Sequence, residues 1–177
     1  MTSSYFGSIS NFLQFLFVAV IALSCVTVSV FAEDPPAVTT PTWTVPADWT
    51  KQEGERAMRI ATFTAGADAT TMEVALSSFP GDAGGLFANV NRWRGQVGLP
   101  AVTKDNLMEG LATFENPGMK IFTMRLKGAA NQMLGGIIYD EANDRTWFIK
   151  ATAGATAVEQ HEKSFVAFAQ SFKAPKK

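Results

Sequence analysis

Residues 111–152 read LATFENPGMKIFTMRLKGAANQMLGGIIYDEANDRTWFIKAT and break into four apolar runs separated by turn residues. Leu111 to Glu115 and Lys120 to Lys127 flank Asn116-Pro117-Gly118, where Pro pre-sets φ and Gly takes a positive φ. Met133 to Tyr139 and Thr146 to Thr152 flank the polar turn Asp140-Glu141-Ala142-Asn143-Asp144. Runs of strand length joined by short turns predict an antiparallel meander.

Working outward toward the N-terminus, Ala83 to Val97 fits a helix. Leu86, Phe87, Val90, Trp93 and Val97 fall on one side, while Asn89, Asn91, Arg92, Arg94 and Gln96 cover the other. Asp82 is the expected N-cap, and Gly98 with Pro100 supplies the stop. Before it, Met58 to Phe63 and Met72 to Phe79 are candidate strands separated by the turn Ala65-Gly66-Ala67-Asp68. In the second, Met72, Val74 and Leu76 alternate with Glu73, Ala75 and Ser77, as in a half-buried strand. Trp43 to Trp49, two aromatics around Pro46, reads as an irregular segment covering the sheet edge. Toward the C-terminus, Thr156-Ala157-Val158-Glu159 has the form of a capping box. Val158, His161, Phe165, Phe168 and Phe172 then recur on one helical face.

Residues 1–32 carry no Lys, Arg, Asp or Glu, and 15–32 are almost wholly apolar. Val30-Phe31-Ala32 before Glu33-Asp34-Pro35-Pro36 has the small-residue form of a signal-peptidase junction. The missing N-terminal Lys or Arg leaves an uncleaved anchor open. Cys25 leaves lipidation open, although Ala22 stands where a lipobox has Leu. Cleavage after Ala32 removes the one Cys of the chain, so stability must come from a packed core and not from disulfides. Residues 33–42, EDPPAVTTPT, read as an extended tether. Formal net charge is −1 with the signs interspersed, which argues against a nucleic-acid partner.

Two stretches, SFPGDAGGL with NVNRWRGQ (78–86 and 89–96) and TWFIKAT (146–152), resemble a family of uncharacterised exported bacterial proteins and lipoproteins. The likeness covers most of residues 43–173, and because that family has no assigned activity it implies no catalytic residues. The Trp43-to-Trp49 opening, the meander and a closing helix ending in Ser171-Phe172 are similar to PsbP-like domains, which implies a fold and not a job.

Candidate chemistry is sparse. His161, the one histidine, sits in the apolar stripe and reads as a packed imidazole; a triad with Ser77, Ser78 or Ser164 has no nucleophile-elbow sequence to support it. One His with no mature Cys cannot supply a zinc site. The Asp140-to-Asp144 turn lacks the spacing of a calcium loop. Glu53, Glu55, Glu109 and Glu115 are available for a carboxylate pair, with nothing in the sequence to show that two converge. Gly81-Asp82-Ala83-Gly84-Gly85, leading into a helix, offers backbone N–H groups that can hold an anion, but Asp82 opposes one and no phosphate-loop motif is present.

The expected fold is α+β, an antiparallel sheet of about five to six strands with helices packed on it. One domain, 43–177, follows the leader 1–32 and the Pro/Thr-rich linker 33–42. The expected role is an exported protein of the periplasm or cell envelope, a non-catalytic binding or structural domain. No catalytic residue, metal or cofactor is assigned. Two alternatives stand beside it: a lipid- or hydrophobe-binding module with a cleft between sheet and Phe-rich helix, and a small hydrolase using a carboxylate pair. The candidate ligand- or partner-binding residues are Gly84, Gly85, Asn89 and Arg92. The partner is an envelope component or a small ligand, with membrane contact through the N-terminal segment if it is uncleaved.

Overall fold

A pleated chain sends successive side chains to opposite faces, so the near-continuous apolar runs of residues 119–126, 133–139 and 147–151 build a sheet apolar on both sides. In the computed structural model, which describes residues 40–174, the strands are β1 (Trp49–Lys51), β2 (Ala61–Ala65), β3 (Met72–Pro80), β4 (Ala112–Asn116), β5 (Met119–Lys127), β6 (Gln132–Asp140) and β7 (Arg145–Ala153). The helices are α1 (Gly85–Gln96) and α2 (Ala155–Gln170), with short 3-10 turns at Asp68–Thr70 and Leu107–Gly110. All seven strands form one antiparallel sheet in the order β1-β2-β3-β7-β6-β5-β4. The fold is α+β. The leader with Cys25, linker residues 33–39 and residues 175–177 lie outside the described residues. Among the described residues no helix is long and apolar enough to cross a membrane.

Two hairpin runs, β1–β2–β3 and β4–β5–β6–β7, meet where β3 pairs with β7, Leu76 opposite Ile149 and Ser78 opposite Trp147. Since β3 lies mid-sheet and β4 at the far edge, the chain between them must cross the sheet, and it does so as α1. The two helices take opposite faces. Against one face lies α2, over a cluster that includes Phe63, Val74, Leu76, Ile121, Ile138 and Ile149. Against the other, Val90, Trp93 and Val97 of the α1 region join Phe122, Met124, Met133, Ile137 and Phe148. Gly135 decides how closely α1 approaches: a Cβ there would lie 2.5 Å from Trp93 Cζ3, so only a glycine lets the indole rest on β6.

Several local expectations need correction. The aromatic opening contributes a short edge strand, β1, so the sheet exceeds the expected strand count. The strand expected from Met58 begins only at Ala61, because an Arg59 N–H to Arg56 C=O bond of 3.0 Å makes a turn there and puts Met58 at φ 63°. The capping box does not form; α2 starts at Ala155 behind Gly154, with no side-chain cap, so Thr156 already lies in the first turn. Asp82 is not the N-cap of α1. That position is Gly84 at φ 91°, and Asp82 instead accepts the Gly84 N–H at 3.0 Å in a tight turn of its own.

Candidate functional site

Tracing each candidate residue from its element shows what the Gly-rich loop does. Three of its N–H groups are engaged internally: Gly81 to Asp144 C=O (2.8 Å), Gly84 to Asp82 Oδ1 (3.0 Å) and Gly85 to Asp82 C=O (2.9 Å). The Asp82 carboxylate thus takes a place expected for a bound anion. Gly84 and Gly85, at φ 91° and 79°, are in the left-handed region where a side chain is strained. Their role here is to bring the chain round into α1.

Asn89 does not lie on the outer face of α1 as expected. It is 2% exposed, with Nδ2 donating to Ala83 C=O (3.1 Å) and Gly85 C=O (2.8 Å). With both donors on the loop, its Oδ1 is left to accept from Arg92, and the Arg92 Nη2 to Oδ1 distance is 2.6 Å. Gly84, Gly85, Asn89 and Arg92 are therefore one construction: glycines turn the loop, the loop holds the amide, and the amide orients the guanidinium. Asn91 ties the chain after α1 through two bonds with Val102, and Arg94 does so through Pro100 C=O.

Arg92 faces a cleft of about 320 Å³ between α1, the β3–β7 floor and the loop joining β1 to β2. Its aromatic lining is Phe79 and Phe148 of the floor and Trp93 of α1, with Trp93 edge-on to Phe148 at 5.7 Å and Phe79 5.8 Å from Phe148. The charged side chains lining it are Arg59, Arg92 and Lys150. Arg59 is neutralised by Glu73 at 2.7 Å, a carboxylate that also pairs with Arg56. Arg92 and Lys150 are held by neutral amides instead, Lys150 Nζ donating to Gln96 Oε1 at 3.3 Å. Partial burial, and then the charges of Arg92 and Arg59, lower the Lys150 ammonium below the ordinary lysine range. Glu73 shifts down as well, chiefly through its Arg59 hydrogen bond and against the opposing effect of burial. Met58, 75% exposed, lines the cleft from the loop. A larger hollow of about 580 Å³ is lined by residues 51–62 alone, one loop folded on itself and carrying both Glu53 and Arg56.

Lys150, Phe79 and Phe148 were missed by sequence reasoning, although one signal was there. In Thr146-Trp147-Phe148-Ile149-Lys150 the odd positions are apolar, and a lysine interrupts the even ones inside an otherwise two-sided strand.

The other candidate chemistries do not assemble. His161 is 3% exposed, its Nδ1 3.9 Å from Asp48 Oδ2 and its Nε2 without a hydrogen-bond partner among the described residues. Ser77 lines the α1-side cleft, across the sheet from α2, Ser78 accepts from Arg145, and the Ser164 hydroxyl donates to His161 C=O. Glu53 and Glu55 sit beside β1 and Glu115 on β4, at opposite edges of the sheet, so neither of the first two can pair with Glu115; Glu109 shares a hollow with Glu162, whose carboxylate is held by Arg125 at 2.7 Å. Asp140 folds inward to accept the Asn143 N–H and Nδ2, closing its own turn. Among the described residues no three His, Cys, Asp or Glu side chains gather as a metal site would require.

No protein-family model matches the sequence. No curated protein matches it either. Among solved structures, the chain is similar to cyanobacterial PsbP (CyanoP) from Synechocystis sp. PCC 6803, with 13% identity and a TM-score of 0.47, over 75% of this chain and 85% of that one. It is also similar to LpqN, involved in cell envelope biogenesis of Mycobacterium tuberculosis, with 14% identity and a TM-score of 0.43, over 76% of this chain and 82% of that one. At such identities and overlaps neither protein's role transfers to this chain.

Proposed function

We propose that this is an exported protein of the cell envelope that works by binding, without catalysis, and that the cleft beside α1 is its binding face. Export is supported by the charge-free leader and its Val30-Phe31-Ala32 junction. The observation that carries the binding reading is the cleft itself. Side chains from three distant places in the chain, Arg59, Arg92 and Lys150, converge on one hollow lined by no carboxylate, on a protein of net charge −1. At about 320 Å³ it is at the small end of ligand sites, which run about 300–1,000 Å³. On the opposite face Phe165, Phe168 and Phe172 fill most of the ground between α2 and the sheet, and the hollow of about 320 Å³ that remains beside β4 and β5 has its one cation, Arg125, already paired with Glu162 at 2.7 Å. Gly84, Gly85 and Asn89 belong to the site as its support, and Arg92 as the residue that meets the ligand.

Non-denaturing mass spectrometry of protein recovered from envelope fractions of the native host tests both halves. The expected species begins at Glu33 and carries a small-molecule adduct that is lost in Arg92→Gln. A cytoplasmic chain retaining Met1 would overturn export. An adduct retained by Arg92→Gln and Lys150→Gln alike would move the binding face elsewhere.

A further inference from the structure

We infer that the ligand of this cleft is a small amphipathic anion: one carboxylate or phosphate head held by Arg92 and Lys150, and a flat apolar body lying on Phe79, Phe148 and Trp93. The inference rests on the cleft being the binding face and adds the chemical class of what binds.

Its basis is how the cations of this protein are satisfied. Arg56 and Arg59 share the Glu73 carboxylate, and Arg125 pairs with Glu162, all at 2.7 Å. Arg92 and Lys150 have no carboxylate within ion-pair distance among the described residues and rest on the amide oxygens of Asn89 and Gln96. An amide orients a cation without cancelling its charge. Asn89 cannot turn away, since its two donors are tied to Ala83 and Gly85. Arg92 is exposed at the rim and Lys150 partly buried beneath it, near enough for the Arg92 charge to act on the ammonium, and an anion relieves that repulsion while forming charge-assisted hydrogen bonds. The lowered proton affinity of Lys150 agrees with this arrangement.

An inorganic anion alone would leave the rest of the cleft unused. The lining is largely aromatic, and Met58, exposed on the loop, borders it from a left-handed backbone position that a non-glycine residue seldom takes. A polarizable, flexible thioether at the mouth of an aromatic hollow suits an apolar body of variable shape. The head and body therefore separate by residue: Arg92 and Lys150 read charge, Met58 and the floor read surface.

Calorimetric titration of the full chain purified from its host separates them. The probes are 2-naphthoate, its uncharged analogue 2-naphthamide, acetate, inorganic phosphate and phosphatidylglycerol vesicles. Naphthoate should bind about tenfold or more tightly than naphthamide, while acetate and phosphate give no measurable heat. Arg92→Gln and Lys150→Gln should each weaken naphthoate by about tenfold and leave naphthamide unchanged, with Lys150→Gln not lowering the melting temperature. Met58→Ser should weaken both naphthyl probes by the same factor, and Lys163→Gln, on the exposed side of α2, neither. Equal affinities for naphthoate and naphthamide would overturn the anionic head while leaving the cleft as the binding face. Binding of phosphate as tight as naphthoate would overturn the apolar body. Binding to the vesicles without binding to naphthoate would replace the small ligand by a membrane surface. Naphthoate binding untouched by all three cleft variants would overturn this inference and the assignment of the cleft together.

Discussion

On one face of the sheet, Phe168 packs edge-on to Phe63 at 5.4 Å and to Phe172 at 5.6 Å, and Phe172 stacks under Trp43 at 5.1 Å. On the other, Trp93 is the one large anchor of α1, and beyond it toward β3 the surface opens into a cationic cleft. Geometry explains the contrast. The 12 residues of α1 make a rod of about 18 Å, whereas seven strands about 4.8 Å apart span about 29 Å. Neither helix covers a face alone. On the α2 side the strip toward β1 is covered by the aromatic opening, Trp43 on Phe172 and Trp49 on Phe168. On the α1 side the corresponding strip receives only the charged loop between β1 and β2. Equal sheet faces become a core and a site according to what the flanking chain brings to them.

If the α2 face is the principal core, the largest loss comes from hollowing it. Phe168→Ala should destabilise by about 3–5 kcal/mol, read as a fall in the denaturant midpoint, whereas Lys163→Ala should change stability by less than about 0.5 kcal/mol. Equal, small effects at both sites would erase the difference between the faces. On the α1 side the sharpest test is Gly135→Ala, which drives a methyl into the Trp93 ring and should cost about 1–3 kcal/mol. Trp93→Leu in the same chain should recover part of that loss, because the two residues share one contact; strict additivity would deny that Gly135 exists to seat the indole. Gly84→Ala meets no atom within 4 Å but must adopt a left-handed φ, so it should cost roughly 1–2 kcal/mol. A neutral result would mean that the loop reorganises freely.

The smallest effect concerns Glu73 at the border of the cleft. Its folded carboxyl lies below its ordinary value of 4.5, first through the Arg59 hydrogen bond and then, against the effect of burial, through Arg56. A depressed carboxyl stabilises the fold above its unfolded value and loses that contribution as pH falls through the folded one. The side chain is 45% exposed, so Glu73→Gln should cost under about 1 kcal/mol near neutrality. That difference from wild type should vanish in acid; urea midpoints across the acid range would reveal a difference that persists. Replacing Glu73 would also free Arg59 and should raise affinity for an anion in the cleft.

Much of the architecture is legible because it rests on local signals. The turns at Asn116-Pro117-Gly118 and Asp140 to Asp144, the alternation of Met72 to Phe79 and the stripe Val158, His161, Phe165 and Phe168 all correspond to what forms, while Phe172 is buried just past the end of α2 and not on it. The site is less legible. Arg92 and the two glycines stood out from composition and spacing, but Asn89 was assigned outward because helical periodicity cannot see a loop folding back over the first turn. The capping-box expectation fails for a related reason: Gly154 follows the strand and is itself the N-cap of α2, two residues before the motif begins.

Strand and helix content, the apolar faces and the turns were determined by the sequence, because each depends on residues within a few positions of one another. The pairing of β3 with β7 was decided by the tertiary structure. So was the transit of α1 over the face opposite α2, and with it the meeting of Arg59, Arg92 and Lys150 in one cleft. The physical reason is that a strand's pattern states which of its sides is apolar and not which strand will lie beside it. That choice belongs to the whole chain, when two helices must each find a face and the remaining surface falls to whatever segment is near.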